Sequence, residues 1–274
     1  MMMKDVTIIV AAHKKSEMPT DPMYLPLQVG AEGKKNPDGT PLDLGYAKDN
    51  TGENISARNY NFGTQTGLYW MWKNVDSDYK GLVHYRRFFT LQKASKKNMI
   101  ASVLKYDELK PMLGQYKVFV PKKRHYYIET VYSQYVHTLD RYHQLDISRE
   151  VILEKTPDYL GAFDRVMHRR WNHMFNMMIL TKELMNDYCS WMFPILFEVF
   201  ERVDKSQMDQ FDLRFPGRVS ERLFNVWLEK KLEDGTVKQD EIKELHYVED
   251  VDWMFKVRKF LMAKFLHKKY GKSS

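Results

Sequence analysis

The sequence predicts an α/β fold with a single domain, in which helices flank a mostly parallel central sheet. A β-branched run over residues 5–10 is typical of a buried parallel strand. Over residues 49–89, a Gly- and Asn-rich turn, an aromatic helical pattern and a short apolar strand follow one another. The length of 274 residues is sufficient for one large hydrophobic core.

Composition and charge narrow the class of protein. The net charge of +7 and the pI of about 9.1 favour anionic partners such as nucleic acid, acidic lipid or sugar nucleotides. The single cysteine, Cys189, excludes an intrachain disulfide and is typical of a reducing compartment. No apolar run reaches the roughly 18 residues that span a bilayer, and the run at 6–12 is too short for a signal peptide. We therefore expect a cytoplasmic protein, or one bound peripherally to the inner face of the cell membrane.

The first predicted strand ends in small residues that precede a charged loop. Residues 5–10 lead into Ala12 and His13, and a small residue at a strand exit allows a nucleobase or ribose to approach. Ala12 and His13 are therefore candidates for nucleotide contacts, although an ordinary charged loop explains His13 equally well. The next segment, 17–50, carries five prolines and is predicted to be irregular, with ordered chain only at 24–31.

The turn and helix over residues 49–74 form the first part of a candidate site. Residues 50–54 are rich in turn formers, and Ser56 is predicted to cap the helix that follows. Residues 57–74 contain no proline, and their apolar and small residues recur three or four apart. The pattern predicts one continuous helix.

A strand predicted over residues 79–89 forms the second part of the site. It carries His84, Arg86 and Arg87, three side chains that can bear positive charge within four positions. Because open α/β sheets bind ligands at the carboxyl ends of their strands, this cluster predicts an anionic ligand. Alternate residues of a strand share a face, so Arg86 is expected beside His84 while Arg87 points the other way.

The remaining chain predicts further helices and strands. Helical patterns cover residues 106–114, 128–145, 181–203 and 220–229, and strand patterns cover 116–121, 171–180 and 243–247. The basic run 122–125 is either a second diphosphate contact or a solvated loop. Ser220 is predicted to cap the helix after it, which places Glu221 in the first turn, where the helix dipole favours an ionised carboxylate.

Five motifs in order resemble the signature of a large bacterial family of capsular and exopolysaccharide biosynthesis proteins, long described as a domain of unknown function. The family pattern is a His-Lys pair after the first strand, a D-x-x-G-x-N-I-S turn, a Tyr-Trp-x-Trp-Lys-Asn helix, a Gly-Leu-x-His-Tyr-Arg-Arg strand and a late Ser-Glu-Arg-Leu. Here these motifs occupy residues 12–14, 49–56, 69–74, 81–89 and 220–223. The resemblance extends over about residues 7–246.

The resemblance implies a fold and an activity. It implies a glycosyltransferase (a hexosyltransferase) with the GT-A type of nucleotide-sugar fold over residues 1–250, followed by a basic amphipathic tail at 251–274. The implied donor is a nucleoside-diphosphate sugar, with a UDP-sugar first, because some relatives are assigned to galactofuranose transfer. The implied acceptor is a lipid-linked saccharide or oligosaccharide in capsular or exopolysaccharide synthesis.

The resemblance also assigns residues to the two substrates. For binding of the nucleotide-sugar donor it indicates Asp49, Asn54, Ser56 and Arg58, together with Ala12, His13 and Arg87. At Arg58 the sequence departs from many members, which have Lys or Glu before the Asn. On the acceptor side it indicates Asn172, His173 and Asn176.

The chemistry of sugar transfer suggests roles for the catalytic candidates. Glu221 is the candidate general base, which predicts an inverting reaction. We expect His84, Arg86 and Arg87 to neutralise the diphosphate in place of a metal, through charge-assisted hydrogen bonds. Asp76-Ser77-Asp78 has the spelling of a metal motif but precedes its strand, so a turn is the better interpretation. Metal-independent chemistry is favoured, while Mg²⁺ or Mn²⁺ bound by single aspartates stays an alternative.

Two other classes of protein compete with the transferase. A nucleic-acid-binding protein fits the pI, but Lys and Arg are spread along the chain rather than gathered in a recognisable module, so no nucleic-acid partner is expected. A non-catalytic membrane adaptor fits only the tail at 251–274, whose cationic amphipathic pattern suits an anionic membrane surface.

Overall fold

The computed structural model describes residues 4–94, 97, 99–139 and 142–250 of the chain. Its strands are β1 (Lys4–Ala12), β2 (Tyr24–Gln28), β3 (Ala47–Lys48), β4 (Ser77–His84), β5 (Arg87–Thr90), β6 (Val118–Pro121), β7 (Arg124–His125), β8 (Trp171–Asn172), β9 (Met178–Thr181) and β10 (Ile242–Glu249). Its α-helices are α1 (Asn59–Phe62), α2 (Gln65–Asn74), α3 (Tyr106–Leu109), α4 (Val131–Thr138), α5 (Gln144–Lys155), α6 (Leu160–His168), α7 (Lys182–Arg202) and α8 (Phe215–Glu233).

Strand β1 lies at the centre of a parallel half-sheet, as its β-branched sequence predicts. It pairs in parallel with β2 on one side and with β4 on the other, and β3 extends the sheet beyond β2. Successive side chains alternate between the two faces. Ile9 packs against the helices, while Ile8 and Val10 pack into the core on the opposite face.

The other half of the sheet closes back onto β4. Strand β4 pairs with β9 near its middle and with β5 at its carboxyl end. From β9 the pairing continues to β6, then to β10 and back to β5. These five strands therefore form a closed circuit of pairings beside the parallel half.

The sheet is mixed, which corrects the prediction of a mostly parallel sheet. The pairings of β5 and β9 with their neighbours are antiparallel, whereas β6 and β10 pair in parallel. The physical reason is the length of the connection. Only Tyr85 and Arg86 separate β4 from β5, and so short a link can join only antiparallel strands.

The two faces of the sheet are covered differently. The longer helices α2 and α4 to α8 contribute to one large core cluster on one face. The second face is covered by the segment around α3, including Val103, Leu104 and Leu109, and by aromatic residues of the sheet itself. The α/β class is therefore confirmed, with the helices concentrated on one side.

The helix predicted over residues 57–74 is interrupted. A 3₁₀ turn at Ser56–Arg58 leads into α1, and the chain then breaks at Gly63, where φ is +54°, before α2 begins. A positive φ is unfavourable for residues with a Cβ atom, so glycine permits the break. The side chain of Ser56 makes no capping hydrogen bond, so the predicted cap is wrong.

Two predicted strands are divided, and one helix starts earlier than expected. The strand predicted over 79–89 reverses after β4, and the one predicted over 171–180 is irregular between β8 and β9. Helix α8 begins at Phe215 with proline in its first turn, a position where the missing N–H costs nothing. Glu221 consequently lies in the second turn of α8, not in the first turn as predicted.

The tail predicted at 251–274 lies outside the described residues. Among the helices that are described, none is long and apolar enough to cross a membrane.

Candidate functional site

The carboxyl ends of β1, β2 and β4 meet at a topological switch point. In the sheet, β2 and β3 lie on one side of β1, and β4 lies on the other side. In open α/β sheets, the crevice outside the carboxyl ends at such a point is the usual ligand site. Ala12 ends β1 there and is fully buried, and its carbonyl accepts a hydrogen bond of 2.9 Å from the Val29 N–H beyond β2.

His13 and Tyr85 lie together at this switch point. Tyr85 follows β4, and its backbone N–H donates to the carbonyl of Ala11 at 3.2 Å. The Tyr85 hydroxyl lies 3.5 Å from Nε2 of His13, and the two rings meet edge to face with centroids 5.1 Å apart. The residues after β1 and after β4 thus form one contiguous surface.

Positive charge is concentrated around His13. Partial burial, followed by four neighbouring positive charges, lowers the pKa of His13 to about 4. These charges belong to Lys34, Arg214, Arg86 and Lys14. His13 with these four residues is called the basic cluster below. At neutral pH the histidine is uncharged, and its four neighbours carry the positive charge of the cluster.

The members of the basic cluster come from different parts of the chain. Arg86 lies in the turn after β4, with its guanidinium carbon 5.3 Å from the centre of the Tyr85 ring. Lys34 follows β2 and donates to the carbonyl of Val29 at 3.1 Å. Arg214 precedes α8 and lies close to Gly63, where the helical segment 59–74 is interrupted.

The basic cluster lacks internal neutralisation. In the part of the chain that the structure describes, Lys14, Lys34, Arg86 and Arg214 form no salt bridge with a carboxylate. Burial lowers the pKa of Lys34; the charge of Asp49 opposes this effect, and the charge of Arg214 adds to it to a smaller extent. Because the described residues hold none of the four cations in a salt bridge, they are available to an anionic ligand. Sequence reasoning missed Lys34 and Arg214 because neither belongs to a local motif.

Asp49 is a buried anchor beneath this surface. Its carboxylate is fully buried and accepts hydrogen bonds from the N–H groups of Gly30 and Ala31 at 2.8 and 3.0 Å. It also accepts from the hydroxyls of Ser56 and Thr66 at 2.5 and 2.7 Å. Asp49 and Ser56 thus tie the loop after β2 to the start of α2, and the carboxylate has four donors within the protein.

Asn54 and Arg58 lie in the segment that leads into α1. The Asn54 amide donates to the Gly52 carbonyl at 2.9 Å, and its oxygen accepts from the Ser56 N–H at 3.1 Å. Asn54 therefore stabilises its own turn. The exposed Arg58 guanidinium lies over the Phe197 ring, 5.0 Å from its centre.

A second constellation surrounds Phe175 and Asn176 in the loop before β9. Both residues have positive φ values, +79° and +52°. Nε2 of His84 donates to the Phe175 carbonyl at 2.6 Å, and the Phe175 N–H donates to the Glu221 carboxylate. Backbone conformations of this kind cost free energy and persist where the surroundings fix them, which is common at functional sites.

Asn176 and Arg87 complete this constellation. The Asn176 amide donates to the Gly217 carbonyl at 2.8 Å, and its oxygen accepts from the Ser220 hydroxyl at 3.2 Å. Arg87 pairs with Glu249 at 2.7 Å and lies over the Phe175 ring, 3.7 Å from its centre. Arg87 is thus neutralised within the protein, unlike Arg86, which belongs to the basic cluster.

Burial changes the expected contribution of His84. Desolvation, followed by the charge of Arg87, lowers the pKa of His84 to about 4. The side chain is therefore neutral at pH 7, so we do not expect His84 to neutralise a diphosphate. Its hydrogen bond to Phe175 makes it a support of the second constellation.

Glu221 forms a buried ion pair with Arg222. The two side chains meet at 2.5 Å, and both residues are less than 10% exposed. On its other side, Arg222 donates to Oε1 of Gln134 at 3.2 Å. Inside the protein, Glu221 is therefore held between the Arg222 guanidinium and the Phe175 N–H.

The other two acceptor-side candidates lie in the core. His173 is buried, donates through Nδ1 to the Pro121 carbonyl at 2.7 Å, and has its pKa lowered to about 4 by burial. Asn172 is fully buried, and neither polar atom of its side chain has a hydrogen-bond partner among the described residues. The structure therefore brings only Asn176 together with His84 and Glu221.

The Asp76-Ser77-Asp78 sequence lies at the opposite end of β4 from the basic cluster. Asp76 pairs with Lys182 at 2.6 Å, and Asp78 is the second residue of the strand. Within the described ranges, no three His, Cys, Asp or Glu side chains are grouped as metal ligands.

The fold is that of a known glycosyltransferase structure. The apo structure of the bifunctional glycosyltransferase WbbM superposes with a TM-score of 0.80 over 90% of this chain, at 24% sequence identity. The match covers 46% of the WbbM chain, so this chain spans about half the length of that protein. A search of curated proteins finds no match. A family profile described as "Domain of unknown function (DUF4422)" matches residues 7–232, and the chain therefore belongs to the DUF4422 family.

Proposed function

We propose that this protein is a glycosyltransferase that moves a sugar from a nucleoside-diphosphate donor to a saccharide acceptor. The observation that carries the proposal is the basic cluster at the topological switch point, where Lys14, Lys34, Arg86 and Arg214 surround His13 without carboxylate partners among the described residues. The likeness of the fold to a glycosyltransferase supports the same reading.

The basic cluster suits the leaving group of such a reaction. As the bond to the sugar breaks, negative charge grows on the diphosphate, and positioned cations lower the energy of that state. Arginine forks can donate two parallel hydrogen bonds to one phosphate. Arg86 and Arg214 are therefore assigned to the diphosphate, and metal-independent transfer is part of the proposal. A UDP-sugar is the first donor to test, with UDP-galactofuranose among the candidates.

The second constellation is assigned to the acceptor. Asn176 and the peptide of Phe175 are held by His84, Glu221 and Ser220, so this loop offers a rigid edge for hydroxyl groups. Glu221 as general base, and with it an inverting reaction, stays a hypothesis. The ion pair with Arg222 favours a positioning role for Glu221 instead.

The cellular setting is proposed from the resemblance of the sequence motifs alone. We place the chain in capsular or exopolysaccharide synthesis, acting on a lipid-linked or oligosaccharide acceptor at the inner face of the membrane. The basic tail at 251–274 is the proposed contact with anionic lipid. Because the chain matches about half of a bifunctional enzyme, a single transfer activity is proposed for it.

Turnover of a panel of UDP-sugars tests the proposal. Release of UDP is measured with saccharide acceptors for the wild type and for Arg86→Ala, Arg214→Ala and Lys182→Ala. The third variant removes one positive charge at the opposite end of β4 and serves as the matched control. Loss of a charge-assisted hydrogen bond of about 1.5–3 kcal/mol predicts at least about a tenfold fall in kcat/KM for the two cluster variants. Equal activity in all four proteins would overturn the assignment.

A further inference from the structure

An apolar tip on the loop between β7 and α4 stands out on the described surface. Tyr127 is 81% exposed and Ile128 is 88% exposed, the two highest values among the large hydrophobic residues described. Tyr132 and Val136, one turn apart on α4, are also exposed, at 37% each. Single exposed apolar residues are ordinary, whereas two adjacent and almost fully exposed ones indicate an interaction site.

Hydrogen bonds fix the backbone of the tip. The Ile128 N–H donates to the Tyr126 carbonyl at 2.7 Å, and Tyr127 between them has a φ of +61°. This is a tight γ-turn with an unfavourable backbone at a tyrosine. The base of the loop is anchored by the Tyr126 N–H to the Arg170 carbonyl at 2.9 Å. A strained, fixed turn that presents two apolar side chains to solvent indicates a function.

Exposed cations lie beside the tip or shortly before it in the sequence. Lys122, Arg124 and Arg170 are exposed, and none of them pairs with a carboxylate within the described ranges. Arg170 donates to the Tyr127 carbonyl at 3.2 Å, which places its guanidinium directly beside the tip. Two carboxylates lie nearby: Glu129, which is hydrogen-bonded to His137 at 2.7 Å, and Asp146, which accepts from the Tyr132 hydroxyl at 2.9 Å.

The tip also borders the second constellation of the candidate site. The Tyr126 hydroxyl lies 3.0 Å from the sulfur of Met174, which precedes Phe175. Helix α4 reaches the Glu221–Arg222 pair through Gln134. The residue that precedes the tip is therefore in contact with the loop that carries Asn176.

We propose that the tip at 127–128, together with the exposed cations Lys122, Arg124 and Arg170, docks on the surface of an anionic phospholipid bilayer. Tyrosine suits the headgroup level of a bilayer, and isoleucine suits the acyl boundary below it. The three cations match the negative potential of acidic headgroups. This surface is separate from the tail at 251–274, and the proposal does not depend on the transferase activity.

A fluorophore on the tip tests the proposal in the full chain. Cys189 is fully buried and its pKa is raised by burial, so an introduced cysteine is labelled selectively. Ile128→Cys and the control Leu153→Cys, at a half-exposed leucine on α5, each receive a polarity-sensitive dye. Vesicles of phosphatidylcholine alone and of an equimolar mixture with phosphatidylglycerol are then added.

The expected result is a blue shift and brighter emission at position 128 with the mixed vesicles only, and no change at 153. Because each basic residue near an anionic surface contributes about 1 kcal/mol, Arg124→Gln or Lys122→Gln should weaken vesicle binding, as reported by the dye, about fivefold.

Unchanged dye emission at position 128 on vesicle-bound protein would place the contact elsewhere, as in the tail, and would overturn the proposal. A shift that rises with protein concentration without vesicles would identify a second copy as the partner, and a shift with pure phosphatidylcholine would exclude the role of charge.

Discussion

At the scale of single residues, Glu221 and Arg222 support the loop that carries Phe175 and Asn176. Glu221 accepts the Phe175 N–H on one side and the Arg222 guanidinium on the other, inside the protein. A buried ion pair contributes little net stability relative to an apolar pair, but removal of one partner leaves an unpaired buried charge. Substitution of Glu221 should therefore change the free energy of unfolding, and this change can be measured apart from turnover.

Replacement of Glu221 by Gln separates positioning from base catalysis. The Gln amide keeps an oxygen for the Phe175 N–H but leaves Arg222 buried and unpaired, so we expect a loss of about 3–5 kcal/mol in the free energy of unfolding. The double variant Glu221→Gln/Arg222→Met should recover much of this loss, as measured by chemical denaturation. A fully stable Glu221→Gln protein with no turnover would contradict positioning and favour the general base.

The buried histidines predict a specific pH dependence of stability. The pKa values of His84 and His173 are about 4 in the folded protein and about 6.5 when exposed, so the unfolded chain binds more protons between these values. Stability should be complete above pH 6.5 and fall as the pH drops toward 4, by up to about 3 kcal/mol for each histidine. Denaturation of wild type and His84→Gln across this range measures it. The variant should show the shallower dependence, and equal slopes would contradict the argument.

At the scale of elements, α2 depends on a glycine for its close approach to the sheet. A Cβ atom on Gly67 would lie 2.9 Å from the Val29 side chain, 3.3 Å from that of Leu27 and 3.4 Å from that of Ile9. In a close-packed core such contacts force neighbouring groups to move. Packing therefore outweighs helix propensity at this position, because alanine is otherwise the better helix former.

A pair of glycine substitutions tests this reasoning. Gly67→Ala should lower the melting temperature, because overpacking typically costs about 1–3 kcal/mol. Gly161→Ala in α6 is the matched control, since its Cβ would meet only the flexible end of Arg165 at 3.3 Å, and it should raise the melting temperature. The two shifts are measured by thermal unfolding. Stabilisation of both variants would show that α2 does not pack as described.

The same scale shows which elements the sequence could predict. Helix α7 was predicted over 181–203 and extends from Lys182 to Arg202, because its periodicity is long and Thr181 caps it. The reversal after β4 was missed, since Tyr85 and Arg86 are not turn formers. Contacts with His13 and Ala11, distant in sequence, fix this turn.

At the scale of the whole molecule, the sequence predicted the α/β class but not the closure of the sheet. Strands β5, β6, β9 and β10 pair across long separations, and such pairings leave no local pattern. The candidate site was likewise predictable only where its residues belong to local motifs. His13 and Arg86 were found through motifs, whereas Lys34 and Arg214 join them only through the fold.

Above all, we propose that the basic cluster binds the diphosphate of a nucleotide. Calorimetric titration of UDP into wild type, Arg214→Ala and Lys182→Ala, with Mn²⁺ and with EDTA, measures this binding. We expect binding that EDTA leaves unchanged, at least about tenfold weaker affinity for Arg214→Ala, and no change for Lys182→Ala. Equal affinity in the three proteins, or no binding of UDP at all, would contradict this proposal, and binding only with Mn²⁺ would favour a metal ion held by the aspartates.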